Sequence, residues 1–522
     1  MKQKRWNIEP GIFFPALLIF AAVSLLLFWG GDALYSFLSA LLAQITARFG
    51  WLYLWIYIVN FVFLGWLAFS KYGRIKFGKA DEKPEYSNFS WTCMVFTTGI
   101  DASIMIMTLF EPVQYVSAPP FGLQPFSPEA YDYAHMYGQF HWGPSAWTMY
   151  IPATIAIAYT LYVKHTDTTR ISNACAPASR RLCRHKWMRN LLDVVIVFGI
   201  MGGIGASIGL EIPVISRIFH QITGVADTLG LKFAMLAVLL ALFGSSVYLG
   251  LEKGMKWLSS ATVYITLGLL AVTLLWGPTS YLIDSETNSI GLLVSNFVRM
   301  STYTDPNLAS GFPQNWTIFY WGWWLAYMPV MGLFVARISR GRTIRQVICG
   351  QVLWGSVGCM TVFGIMGGYA LYIQKTGIAD LAGILETQGQ EAAIAAVIGT
   401  LPLPQIMLVV YLISCFVFLA TTISSSAFIL SSMTSRRLTG YEAPARWNRL
   451  LWSVVFMLFS AGIMVVGGLE TIKLVCVLAG FPLIAVVIVL MRAIVRMVKE
   501  NGSPGTAAAQ AAPHSAEEAP PV

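Results

Sequence analysis

The sequence predicts an all-α integral membrane protein of twelve transmembrane helices, and three observations carry that prediction. The 522-residue chain is 56% hydrophobic and only 11% charged, with a mean hydropathy of +0.64, whereas soluble domains carry roughly a quarter of their residues as Asp, Glu, Lys and Arg. Apolar runs of bilayer-spanning length lie near 11–30, 51–70, 88–110, 143–163, 191–210, 231–250, 258–277, 314–336, 347–373, 405–430, 450–468 and 474–494. With the N terminus inside, 28 of the 34 Lys and Arg residues fall in cytoplasmic segments, and only Arg48, Arg217, Lys232, Arg299, Lys375 and Lys473 do not. That is the positive-inside bias of an even number of spans. The net charge of +9 therefore describes topology and not a nucleic-acid surface.

The chain opens on Lys2, Lys4 and Arg5 and runs into a full-length apolar stretch with no small-residue cleavage site. We expect a retained first helix and cytoplasmic termini. Residues 1–86 hold spans 1 and 2. The third span contains Thr97-Thr98-Gly99-Ile100-Asp101-Ala102-Ser103, a carboxylate and hydroxyls around a glycine. An Asp at the centre of a span costs roughly 2.5 to 3.5 kcal/mol and marks a functional site by default, and a glycine among hydroxyls is where transporter helices break. Glu111-Pro112 follows in the same span, as a kink or part of a gate. Ser117 to Phe126 is rich in Pro and Gly, an external loop with no basic residue to repel an arriving cation.

The fourth span opens with His141-Trp142-Gly143-Pro144-Ser145-Ala146-Trp147-Thr148-Met149-Tyr150. Three aromatic rings on successive turns exceed an interfacial belt and suggest one wall of a cage. In the fifth span Gly205-Ala206-Ser207-Ile208-Gly209 is a literal G-x-S-x-G. The hydrolase elbow needs a strand-turn-helix setting, and His135, His141 and His220 read as interfacial, so these glycines are expected to serve helix packing.

The eighth span carries the strongest signal, Asn315-Trp-Thr-Ile-Phe-Tyr-Trp-Gly-Trp-Trp324. Trp316, Phe319, Tyr320, Trp323, Trp324 and Tyr327 recur at helical spacing and make one aromatic face. Such a wall inside a membrane suits a desolvated organic cation, each ring attracting it by roughly 0.5 to 2 kcal/mol. Arg337, Arg340, Arg342 and Arg345 after it read as a positive-inside anchor. In the tenth span Phe418-Leu419-Ala420-Thr421-Thr422-Ile423-Ser424-Ser425-Ser426 either supplies oxygens to a dehydrated sodium ion or serves close helix packing. The seven cysteines have no zinc-type spacing. Residues 498–522 form a polar tail expected to be disordered. No metal cluster, nucleotide loop or paired acids point to an enzyme, and no cofactor is expected.

Trp316 to Trp324 followed by Ala336-Arg337-Ile338-Ser339-Arg340-Gly341-Arg342-Thr343 resembles the signature of the betaine/choline/carnitine transporter family, over roughly residues 10 to 495. Pro119-Pro120-Phe121-Gly122, His141-Trp142-Gly143 and Tyr303-Thr304-Asp305-Pro306 lean toward its carnitine/butyrobetaine exchanger branch. The resemblance implies a homotrimer in the bacterial inner membrane and two inverted five-helix repeats, spans 3–7 within 87–280 and spans 8–12 within 281–497, the second preceded by an amphipathic external segment. The site between span 3 and span 8 would lie near the bilayer midplane. It further implies a trimethylammonium cage of Trp142, Trp147, Tyr150, Trp323 and Trp324, with Tyr327 on the path and Asp101 nearby, and a sodium site of Thr97, Ile100, Phe418, Thr421 and Thr422.

This chain departs from the family in three places. Betaine carriers read Gly-Met-Gly-Ile-Gly where it has Gly99-Ile100-Asp101-Ala102-Ser103, and choline carriers place their Asp two positions later. The exchanger branch replaces sodium by an arginine that falls opposite Thr262. A span-3 tyrosine of the exchangers falls at Gln114. With no fixed cation at Thr262, the expectation is sodium-coupled import of carnitine, a betaine or choline. The alternatives are sodium-independent exchange and an osmosensing or receptor-like role, the last disfavoured by the absence of Lys and Arg after Asn501.

Overall fold

The computed structural model describes residues 7–501 apart from Gly99, Asp101, 167–169, 250–251 and 437–442, and the backbone alone at Asp32, Cys183, 246–249, 252–259, Ala261 and Asn501. Asp101 and residues 502–522 of the tail, both subjects of sequence expectations, thus lie outside the described residues. The helices are α1 (Pro10–Trp29), α2 (Gly31–Phe69), α3 (Asn88–Thr98), α4 (Ala102–Ser117), α5 (Pro128–Trp142), α6 (Pro144–Tyr162), α7 (Ile171–Cys175), α8 (Arg180–Arg184), α9 (Lys186–Thr223), α10 (Leu229–Leu249), α11 (Glu252–Trp276), α12 (Thr279–Thr302), α13 (Ile318–Ile338), α14 (Ile344–Val362), α15 (Gly368–Thr376), α16 (Leu381–Gln388), α17 (Gln390–Gly399), α18 (Pro404–Met433), α19 (Arg446–Val466) and α20 (Gly468–Asn501). Among the described residues the only pairing of extended backbone is two isolated bridges, Ile8 with Ser435 and Lys76 with Thr343.

Eight helices are long and apolar enough to cross a membrane, or up to ten if each of two bent pairs counts as one span. The chain is a multi-pass membrane protein. α6 falls outside that group because its tyrosines, tryptophan, prolines and hydroxyls dilute its hydropathy. The two bent pairs have different causes. α3 and α4 meet at 53° across the Gly99 region, where the sequence placed a break. α11 and α12 meet at 107° around Gly277-Pro278, because proline lacks the N–H that would continue the ladder. α12 is amphipathic, burying Leu282, Ser289, Leu293 and Met300 while exposing Ile283, Ile290, Val294 and Val298. It packs against α5 and leads to the linker before α13. There Asp305 accepts backbone N–H bonds from Ala309 (2.8 Å), Ser310 (2.9 Å) and Gly311 (2.7 Å). Burial pushes its carboxyl up, but these bonds outweigh it and hold the group below the usual range.

α13 is the axial helix, wedged between α6, α9 and α20. The glycines of α9 let it approach its neighbours: a Cβ on Gly202 would lie 2.3 Å from the Cβ of Ala479, and one on Gly205 would lie 2.3 Å from the ring of Phe459. The G-x-S-x-G is a packing face, as expected.

The arginine run is more than an anchor. Arg342 is 3% exposed and donates to Asn88 Oδ1 (2.9 Å), Tyr86 O (3.0 Å) and Ser87 O (3.2 Å), with its guanidinium 4.6 Å from the ring centre of Trp91. Arg340 pairs with Glu82 at 2.6 Å. The loop after α13 is therefore bolted to the start of α3, a correction that periodicity along one helix gives no means of seeing. Arg342→Ala removes three charge-assisted hydrogen bonds and the stacking on Trp91 and should cost about 1 to 3 kcal/mol. A lowered unfolding midpoint in detergent, only partly restored by Arg342→Lys, is the expected readout, since an ammonium does not reproduce the guanidinium fork.

Candidate substrate site

α5 ends at Trp142 because Gly143, with φ −84° and ψ −124°, turns the chain, and Pro144 restarts it as α6. A Cβ on Gly143 would lie 2.5 Å from the Gln139 carbonyl, so only glycine fits this corner. Trp142 stands at the corner, with Trp147 and Tyr150 on the next turns of α6. Across from it α13 presents Trp323, Trp324 and Tyr327. All six aromatic residues expected at the site line one internal cavity, together with Thr98, Ser103, Ala146, Met331 and Cys359, which the sequence reading did not assign to the cage.

The rings form an angular box. Trp323 and Trp324 stack at 5.4 Å and 5°. Trp142 meets Trp324 edge-on at 4.8 Å and 72° and Trp323 at 5.8 Å and 74°. Tyr150 stands at 87° to Trp324, 6.2 Å away, and Tyr327 at 71° to Trp323, 6.4 Å away. Crossed planes aim several negative ring faces at a shared space, where a cation is attracted without any formal anion. The cavity measures about 40 Å³, about a quarter of the 150 Å³ that holds a benzene. A bulky cation needs the walls to part.

The box is held from behind by polar contacts. Trp324 Nε1–H donates to the His141 carbonyl at 2.9 Å. Trp142 Nε1–H reaches Tyr320 Oη at 3.1 Å and Glu111 Oε2 at 3.3 Å. Glu111 also accepts the hydroxyls of Tyr115 and Tyr320. His141 is fully buried, its Nδ1 2.8 Å from Tyr115 Oη and its Nε2 3.1 Å from Thr317 Oγ1. His135 is buried too, beside Ser289 at 2.7 Å. Both are enclosed by protein: His141 has a hydroxyl at each ring nitrogen, and His135 has one, with its Nε2 buried without a hydrogen-bond partner among the described residues. Glu111 neither breaks α4, which runs through Pro112, nor stands alone; it is the hub that fixes Trp142 and Tyr320. Its sequence signal was a carboxylate inside an apolar run, but of its three partners only Tyr115 is on the same helix; Trp142 and Tyr320 lie on α5 and α13.

The aromatic face of α13 is a near-parallel ladder, with Trp316 to Tyr320 at 6.4 Å and 20° and Tyr320 to Trp324 at 5.4 Å and 25°. Lys473, one of the six off-pattern basic residues, has its Nζ 4.1 Å from the Trp316 ring centre and 2.9 Å from Glu470. The indole N–H of Trp323 is buried without a hydrogen-bond partner among the described residues.

The expected ion ligands lie at the α3–α4 break and on α18. Thr97 and Ile100 flank the α3–α4 break, with Ile100 N–H on the Thr97 carbonyl at 3.1 Å. Thr97 Oγ1 donates to Cys93 O at 2.8 Å, and Thr421 Oγ1 to Phe418 O at 2.8 Å, so both hydroxyls are turned to their own helices. Thr422 lies beside Thr421 on α18, which packs against α4, α9 and α11; Thr262, on α11, is buried. Among the described residues no group of three or more His, Cys, Asp or Glu is placed to hold a metal ion, and the six described cysteines are all free thiols. A family model described as betaine/carnitine/choline family transporter matches residues 11–503.

Proposed function

The chain belongs to the betaine/carnitine/choline transporter family, and from that premise we propose that it imports a quaternary ammonium compound, carnitine, a betaine or choline, coupled to sodium. The carrying observation is the crossed aromatic box of Trp142, Trp147, Tyr150, Trp323, Trp324 and Tyr327 around one internal cavity. Several ring contacts of up to about 2 kcal/mol each give a micromolar to millimolar affinity after ordering costs. Tyr327 and Ser103 bring hydroxyls to the residues that line the cavity, groups that suit a substrate carboxylate or hydroxyl.

In this reading sodium is co-substrate, held by the carbonyls of Thr97 and Ile100 at the break and by Phe418, Thr421 and Thr422 on α18. Its binding would draw α18 onto the break, order the broken helix and lower the cost of closing the box. Residues 87–280 and 281–497 would act as inverted repeats that rock about the site, in a homotrimer of the bacterial inner membrane with cytoplasmic termini. Each inward charge gains about 2.3 kcal/mol per 100 mV.

The test is uptake of labelled carnitine, glycine betaine and choline into proteoliposomes, with and without an inward sodium gradient. The expected result is uptake that collapses when the gradient is removed. Replacing both Thr421 and Thr422 by alanine should shift half-saturation by sodium at least about tenfold, the equivalent of 1.4 kcal/mol. An unchanged sodium dependence would move the ion site elsewhere. Exchange that persists without any gradient would favour the sodium-independent reading, with Thr262 no guide to coupling.

A further inference from the structure

Glu211 lies on α9, 2% exposed, and the substrate box makes no use of it. Ser103 on α4 donates to its Oε1 at 2.7 Å. The Ser103 Oγ is 3.3 Å from Ser207 Oγ, and Ser207 shares a 2.6 Å bond with the Tyr327 hydroxyl in which either oxygen is able to donate. Ser103 and Tyr327 both line the cavity. A carboxylate at this depth is a functional residue by default, and here a chain of hydroxyls joins it to the substrate space. The 2.7 and 2.6 Å separations are ordinary hydrogen bonds and the 3.3 Å Ser103–Ser207 link is a longer one between them, so the oxygens form a chain that leads from Tyr327 to the carboxylate.

We propose that Glu211 is a proton-binding site coupled to the cavity, taking up one proton as a quaternary ammonium compound that bears a carboxylate is bound. The proposal rests on the transport reading. The proton comes from hydronium on the side to which the cavity opens and is handed along the hydroxyls, each O–H bond that forms matched by one that breaks, until it rests as an O–H bond on one carboxylate oxygen; it leaves by the same exchange to water on the other side. With Glu211 ionised, the hydroxyls of Ser103, Ser207 and Tyr327 point toward it in sequence. With Glu211 protonated the chain reverses, and the Tyr327 O–H turns into the cavity as a donor to the substrate carboxylate. The same protonation removes the repulsion between two buried carboxylates. A substrate without a carboxylate, such as choline, gains nothing from it.

The titratable groups near Glu211 on neighbouring helices are Tyr327 on α13, bonded to Ser207, and Tyr411 and Cys415 on α18. α19 meets α9 through Phe459, Ser460 and Ile463, and α20 through Val475, Ala479 and Leu483. Asp227, Lys232 and Glu391 cluster with Arg217 and Ser216, toward the far end of α9, and Asp193 is engaged by Ser172 near its start. Glu111, on α4, is bound up with Tyr115, Tyr320 and Trp142.

The test is tryptophan-fluorescence titration of the purified protein with glycine betaine and with choline at fixed sodium, from mildly acid to mildly alkaline pH. It is paired with proteoliposomes containing a lumenal pH dye. For the wild type, betaine affinity should rise about tenfold toward acid pH, within the range of ordinary site-to-site coupling, choline affinity should stay flat, and betaine uptake should acidify the lumen. Glu211→Gln should flatten the betaine profile and abolish lumenal acidification. Glu211→Asp should keep the slope, and Ser207→Ala, which leaves the carboxylate in place but cuts the relay, should also flatten it. A wild-type profile without slope, a slope that survives Glu211→Gln, or one removed by Asp101→Asn instead overturns the role given to Glu211. Wild-type protein that binds and takes up no quaternary ammonium compound in any gradient overturns the transport reading itself.

Discussion

Trp324→Leu is expected to reduce uptake to the level of protein-free liposomes. Trp324 is the ring that Trp142, Trp323 and Tyr150 all face, at 4.8, 5.4 and 6.2 Å, so its loss removes the shared wall of the box. Cation–π attraction of about 2 kcal/mol in a desolvated site is more than a tenfold loss of affinity. Its N–H is also the donor to the His141 carbonyl, and an orphaned buried acceptor costs a further 1 to 3 kcal/mol or so. His141 is part of the Glu111 network that holds Trp142, so the damage spreads to a second wall. Trp324→Phe keeps a ring face without the N–H and should fall between the two. Normal uptake by the leucine variant in folded protein would remove the cage from this site.

The largest structural effect is expected at the crossing of α13 and α20. A Cβ on Gly480 would lie 2.5 Å from the Gly322 carbonyl oxygen and 2.6 Å from its Cα, and one on Gly322 would lie 2.9 Å from Cys476 O and from Val477 Cα. Both contacts are with backbone, which does not swing aside as a long side chain does, so whole helices must separate. Gly480→Val should therefore exceed the ~1–3 kcal/mol of ordinary overpacking and yield protein that aggregates on size-exclusion chromatography in detergent. Gly65→Ala is the contrast, because nothing lies within 4 Å of a Cβ there and alanine is the better helix former by about 1 kcal/mol. A well-behaved Gly480→Val protein with wild-type thermal stability would mean that the helices do not cross so closely. The consequence for function is direct, since α13 carries Trp323 and Trp324.

Much of this architecture was legible beforehand. Hydropathy and the asymmetry of Lys and Arg are summed over many residues, so they announce a polytopic membrane protein whatever the packing. The three- and four-residue spacing of Trp316, Phe319, Tyr320, Trp323, Trp324 and Tyr327 assigns them to one side of one helix, and the ladder confirms it. The pair Gly143-Pro144 was visible as letters, but the corner it makes, which swings Trp142 across to Trp324, was not.

What the sequence determined by itself was which residues share a helix face and that the chain crosses a membrane several times, because both follow from local periodicity and from summed composition. Only the tertiary structure decided that Glu111 gathers Tyr115, Tyr320 and Trp142, that Arg342 ties the loop after α13 to the start of α3, and that Ser103, Ser207 and Tyr327 lead from the cavity to Glu211. Apart from Tyr115, one helical turn from Glu111, those contacts join residues about thirty to more than two hundred positions apart. The physical reason is that a buried polar group is stable only beside its partner, and that partner is chosen by how helices cross, a property of no single segment.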